Sequence, residues 1–140
     1  MTPRNTRTGE VMERMVLPAL QMGGYTVTRQ KTIGTRFGVS KHNVDTFAID
    51  HFGRPYLISL KWQQVSGTAE QKIPFEVVCL ADAMMRNEEF FKAYLVLGGE
   101  GWRFKEFYLS GGLNTFLINA DLVSIVSLER FVELANQGRL

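Results

Sequence analysis

Lys61 stands inside a run, Tyr56 to Gln63 (YLISLKWQ), that otherwise reads as a buried strand. Side chains alternate across a strand, so Tyr56, Ile58, Leu60 and Trp62 share one face, and Leu57, Ser59, Lys61 and Gln63 the other. An ammonium group is expensive to bury without a partner. Asp45 offers one, because it begins the preceding apolar run on the same side as Phe47 and Ile49. The two runs flank His51-Phe-Gly-Arg54 and a proline, a short turn that makes them an antiparallel hairpin and brings Asp45 towards Lys61. From the residues alone, Lys61 is held opposite Asp45, and the simplest reading is a sheet-edge ion pair that merely satisfies both charges.

The elements that must position this pair follow from periodicity and punctuation. A first helix is expected from Thr8 to Met22, ended by Gly23-Gly24. A strand follows over Tyr25 to Gln30, then a polar, glycine-bearing loop (KTIGTRFGVSKHN). The hairpin strands are expected over Val44 to Asp50 and Tyr56 to Gln63, and a helix over Thr68 to Asn87. Thr68-x-x-Gln71 has the form of a capping box, while Pro74 implies that this helix is kinked or starts later. AYLVLGG and FKEFYLS read as two more strands and Leu128 to Asn136 as a last helix. The order αβββαβ(β)α gives an α/β fold, a mixed β-sheet flanked by helices.

At 140 residues, residues 1–140 are expected to form a single domain. Sixteen Lys and Arg against fourteen Asp and Glu leave a net charge of +2, compatible with a polyanionic partner. The one cysteine, Cys79, lies in an apolar run and reads as a core residue in a reducing compartment. No run of 18 apolar residues and no signal-peptide core is present, so no membrane association and an intracellular (cytoplasmic) protein are expected. P-loop, GxGxxG and GxSxG patterns are absent, which leaves nucleotide hydrolysis and serine-esterase chemistry without support.

The stretch VDTFAIDHFGRPYLISLKWQ resembles the core of the PD-(D/E)XK nuclease superfamily, in which an Asp opens one strand and Glu-x-Lys follows on the next. The resemblance implies a restriction-endonuclease-like core and hydrolysis of DNA phosphodiester bonds with Mg²⁺, for which Mn²⁺ substitutes. Asp45, a second carboxylate and the Leu60 carbonyl would hold the ion, an oxygen-seeking cation that keeps part of its water shell. Lys61 would stabilise charge on the phosphate, and Gln63 would bond the phosphate or a metal-bound water, unless it is simply a strand-end polar residue. Ser59 stands where the family has glutamate. The pattern Ser-Leu-Lys is similar to that of some type II restriction endonucleases, where a glutamate of the following helix supplies the missing carboxylate. Glu76, at close to that spacing and one helical turn beyond Lys72, is the preferred candidate, and Glu70 is its competitor.

TGEVMERMVLPALQMGGYTV is similar to the opening of archaeal Holliday-junction resolvases, with Gly9 and Glu13 at the family's helix spacing and Gly24-Tyr25 downstream. The resemblance turns Glu13 towards the metal, with Glu10 as an alternative. GWRFKEF also looks like a late strand of those resolvases, in which Trp102 and Phe104 would pack and Arg103 and Lys105 stay exposed. Arg29, Lys31, Arg36 and Lys41 in and beside the polar loop, with His42 and with Lys72, would meet the phosphate backbone. Three functions compete: a structure-specific (Holliday-junction-resolvase-like) or small restriction-type endonuclease, a degenerate DNA-binding protein without catalysis, and a nuclease-like subunit of a larger assembly. The small size favours a homodimer acting on branched or shape-defined DNA over a reader of sequence in the major groove.

Overall fold

The computed structural model describes residues 3–140, with side chains from Glu10 onward. Helix α1 (Pro3–Met22) is followed by strands β1 (Thr26–Arg36), β2 (Ser40–Ile49) and β3 (Pro55–Trp62). A single 3-10 turn (Thr68–Gln71) leads into α2 (Lys72–Arg86), then come β4 (Lys92–Gly98), α3 (Lys105–Leu109), β5 (Val123–Ser127) and α4 (Leu128–Asn136). The strands form one mixed sheet in the order β1-β2-β3-β4-β5. The β1-β2 and β2-β3 pairs are antiparallel, and the β3-β4 and β4-β5 pairs are parallel. Among the described residues no helix is long and apolar enough to cross a membrane.

Alternation along the central strands builds a core on each side. Leu57, Leu95 and Leu97 pack with Ile73, Val77 and Leu80 of α2. Tyr56, Ile58, Tyr94 and Val96 pack with Met12, Val16 and Leu20 of α1 and Phe131 of α4. The helices of that second layer cross closely at Gly23, where a Cβ would sit 1.8 Å from the Ala135 carbonyl oxygen. Gly24, at φ +90°, then turns the chain out of α1 into β1.

Three sequence expectations are corrected. The segment 31–43, expected as a loop, is the paired end of a long β1-β2 ribbon whose register runs from Thr26↔Ile49 to Arg36↔Ser40. Its turn puts Phe37 (φ +56°) and Gly38 (φ +77°) in the left-handed region, and the Val39 N–H closes on the Arg36 carbonyl at 2.9 Å. Two successive positive φ values suit the right-handed twist of the flanking strands, and Phe-Gly lacks the usual Asn-Gly signal.

The segment FKEFYLS, expected as a strand, holds α3 instead. Both oxygens of Glu70 accept backbone N–H groups there, from Arg103 and Phe104 at 2.7 Å each, and so bend the chain into the helix. Trp102 is buried, with its indole N–H donating to the Gly98 carbonyl at 2.8 Å, whereas Phe104 is exposed. The fifth strand is β5.

The Thr68-Gln71 capping box does not form, since Gly67 is the N-cap and makes no side-chain cap bond. Helix α2 starts at Lys72, so Pro74 falls in its first turn, where a missing N–H removes no helical bond.

Candidate active site

The site lies where β2 parts from β3. Their pairing runs from Ile49↔Pro55 to Thr46↔Ile58, and the next ladder acceptor for the Leu60 N–H would come from Val44. The Asp45 carboxylate takes that role, accepting the Leu60 N–H at 2.7 Å. Asp45 thus bridges the strands at the point where they diverge, and the hydrogen bond fixes its carboxylate beside the Ser59-Leu60-Lys61 backbone.

Ser59 and Lys61 face α2. Ser59 is buried, and its hydroxyl donates to Glu76 Oε2 at 2.7 Å. Lys61 Nζ lies 3.8 Å from Glu76 Oε1. The ion-pair partner of Lys61 is therefore Glu76, which corrects the expectation of a direct contact with Asp45. Lys61 still acts on Asp45 through space. Burial raises the Asp45 pKa above the usual carboxylate range; the Leu60 N–H and Lys61 pull it down, and Glu76 and Glu13 push it up. Three carboxylates and one ammonium therefore share a field around the parted strands.

The other sequence candidates divide. Glu13 of α1 contributes to that field but is bound by Arg29 of β1, at 2.5 Å. Arg29 keeps over half of its side chain exposed. Glu70 is drawn away from the site: besides Arg103 and Phe104, the Tyr108 hydroxyl donates to it at 3.3 Å, and it is not among the charges felt by Asp45. Gln63 is buried, and its Nε2 donates to the Gly101 carbonyl at 2.9 Å, so it braces the chain after β4 rather than facing a substrate. That crossing is tight, for a Cβ at Gly101 would come within 2.6 Å of the Val65 backbone. Lys31 and Lys41 on the ribbon and Lys72 on α2 are exposed. Arg36 is half-buried, and one of its terminal nitrogens donates to the Lys41 carbonyl at 3.1 Å.

One buried residue near the site was expected only at the phosphate backbone. His42 of β2 is fully buried with neither ring nitrogen bonded to protein. Burial lowers its pKa, Arg36 adds to that, and Glu76 and Asp82 oppose it. Position alternation along β2 would have pointed His42 inward had the segment been read as strand.

A divalent cation is the group such a site implies. Among the described residues no group of three or more His, Cys, Asp and Glu side chains is placed to hold a metal. The carboxylates of Asp45 and Glu76, which feel one another's charge, are both oxygen donors. A small hard cation that retains several waters needs only one or two carboxylates from the protein, so oxygen donors of this kind suit a hard divalent cation.

Comparison with curated proteins and with solved structures finds no match. A family model described as a PD-(D/E)XK nuclease superfamily domain matches residues 4–139. A five-stranded mixed sheet flanked by helices is consistent with the restriction-endonuclease-like fold of that group. The match spans nearly the whole sequence, and the chain belongs to the PD-(D/E)XK nuclease superfamily.

Proposed function

We propose that this nuclease is a Mg²⁺-dependent DNA endonuclease, with Mn²⁺ as a substitute, and that Glu76 supplies from α2 the carboxylate that Ser59 cannot. The observation that carries the reading is the reach of Glu76 to both Ser59 and Lys61, at 2.7 and 3.8 Å. A side chain from the following helix thereby occupies the face from which a strand glutamate at position 59 would project. Asp45, Glu76 and the Leu60 carbonyl would hold the cation, which supplies a polarised phosphate and a more acidic water. Lys61, two residues from Ser59 on the same face, places an ammonium where negative charge grows on the phosphate. Glu76 orients Lys61 before substrate arrives.

The substrate reading is structure-specific cleavage, of the kind a Holliday-junction resolvase performs, by a homodimer. It rests on the resemblance of α1 and the turn that follows it to the opening of resolvases. The test is a panel of labelled four-way, flap and linear DNAs incubated with Mn²⁺ or EDTA, with sedimentation of the protein alone and bound. Cleavage of branched over linear DNA in Mn²⁺ only is the expected result. DNA binding without cleavage under every condition would replace it with the degenerate, binding-only function.

A further inference from the structure

We propose that the tip of the β1-β2 ribbon is an apolar wedge that enters the base stack of the bound DNA beside the cleavage site. The inference rests on the DNA-directed reading above and adds to it a contact with bases. Three observations converge on the tip.

The first is charge. From Thr26 to Val44 the ribbon carries Arg29, Lys31, Arg36 and Lys41 and not one acidic residue. Its outer portion, beyond the last β2-β3 pair at Thr46↔Ile58, is a two-stranded arm free of β3. One face of this arm packs on α2, with His42 and Val44 buried, and its exposed face, with Lys31 and Lys41, is complementary to a phosphate backbone.

The second is exposed apolar surface where solvation would favour polar residues. Val39 is 87% exposed, Phe75 58% and Phe37 43%, and the Phe37 and Phe75 rings lie 6.3 Å apart at 58°. Phe37 also holds a φ of +56°, a conformation in which Gly or Asn would sit with less strain.

The third is rigidity and placement. The Phe37 N–H donates to Asp82 Oδ2 at 3.1 Å, and Asp82 is in turn held by Arg86 at 2.8 Å, so the tip is anchored on α2. Phe75 immediately precedes Glu76 in the same helix. A wedge fixed to the helix that carries a site carboxylate would set the distance between the distorted step and the phosphate to be cut. Apolar side chains backed by cations are the chemistry with which proteins part base steps, and stacking on an aromatic ring tolerates any sequence.

The experiment compares the wild type with Phe37→Asn/Val39→Ser, in which Asn accepts the left-handed turn, on four-way and linear DNAs carrying 2-aminopurine near the crossover. Binding is read in EDTA, so that cleavage plays no part. The wild type should brighten the probe on binding. The double variant, checked for an unchanged melting temperature, should bind about tenfold or more weakly, and should lose the brightening even at saturation with an unchanged salt slope. Phe37→Leu should retain the signal. A double variant that binds and brightens like the wild type overturns the wedge, as does a change in its sedimentation that marks the tip as a protein interface. A wild type that cleaves without brightening any probe removes the wedge alone; one that brightens the probe without ever cleaving removes the endonuclease reading alone.

Discussion

Ser59 on β3 donates its hydroxyl to Glu76 on α2 at 2.7 Å, so a residue too short to be a second acid instead holds one in place. Both groups are buried, and an unsatisfied carboxylate there would carry a large desolvation cost. The hydrogen bond and the nearby Lys61 ammonium offset that cost and fix the orientation of the Glu76 carboxylate.

Removal of Glu76 should therefore uncouple the site from its cation. Glu76→Ala is expected to lower Mn²⁺ affinity, measured by calorimetry, by more than about tenfold, and Ser59→Ala to lower it by a smaller factor within about 10–100-fold. Ser59→Glu in the Glu76→Ala background should recover part of the affinity, because it returns a carboxylate to the same face two residues from Lys61. Wild-type affinity in Glu76→Ala would exclude it as a ligand.

Glu70 should behave in the opposite way. Its oxygens accept two backbone N–H groups and the Tyr108 hydroxyl, so Glu70→Ala leaves three donors without an acceptor. The expected outcome is a loss of about 1–3 kcal/mol in denaturant stability, with Mn²⁺ affinity unchanged.

Asp45→Asn and Lys61→Ala are each expected to reduce cleavage by at least about 100-fold while leaving the far-UV spectrum that of the wild type, with Lys61→Ala also lowering the melting temperature because the buried Glu76 carboxylate loses its cation. Neither side chain belongs to the two apolar clusters. Retention of full cleavage by either variant would place the chemistry elsewhere.

The elements around this site differ in how much the sequence disclosed of them. The strand alternation of Tyr56 to Gln63 and the Gly23-Gly24 stop were legible because each is set by local geometry. Leu128 to Asn136 was equally so, and the structure adds an N-cap at Ser127, whose side chain accepts the Arg130 N–H at 3.1 Å. The ribbon was not, because Thr, Gly, Ser and Lys between Lys31 and Asn43 look like loop until β1 and β2 pair. Helix α3 was hidden for a related reason: its start is fixed by Glu70, more than thirty residues away, and no local signal in FKEFYLS carries that contact. Within the site, Asp45, Ser59 and Lys61 could be named from spacing. Between Glu70 and Glu76 spacing only leaned to Glu76, since the choice turns on which face of the α2 region meets the sheet.

Two aspartates should give the stability profile opposite slopes. The Asp45 pKa is raised in the folded protein, so the metal-free fold binds an extra proton there and loses stability as pH rises through the folded value. Asp50 is held down to about 2 by Arg54, Tyr56 and backbone N–H groups against the effect of burial. Its contribution is complete above the ordinary aspartate range and is lost as pH falls through about 2. Asp45→Asn should thus remove the decline that begins above the ordinary aspartate value, and Asp50→Asn should flatten the acid limb, in chemical denaturation followed from pH 2 to 8. Slopes unaltered by either change would show that these two carboxyls do not set the profile.

The ribbon's cations should separate by burial. Lys31 and Lys41 are exposed along the arm, and Lys31 Nζ rests 5.4 Å from the Phe47 ring centre. Alanine at both should weaken DNA binding to a similar degree across sequences and reduce the slope of log affinity against log salt by about 0.9 for each phosphate no longer neutralised. Arg36 differs. It is half-buried and donates to the Lys41 carbonyl, with its Nε enclosed beside the hairpin turn. Arg36→Ala should therefore lower stability by about 1–3 kcal/mol and loosen the turn that carries Phe37, with little change in salt slope. A slope reduced by Arg36→Ala as much as by Lys41→Ala would mean that its guanidinium swings out to the phosphate when DNA binds.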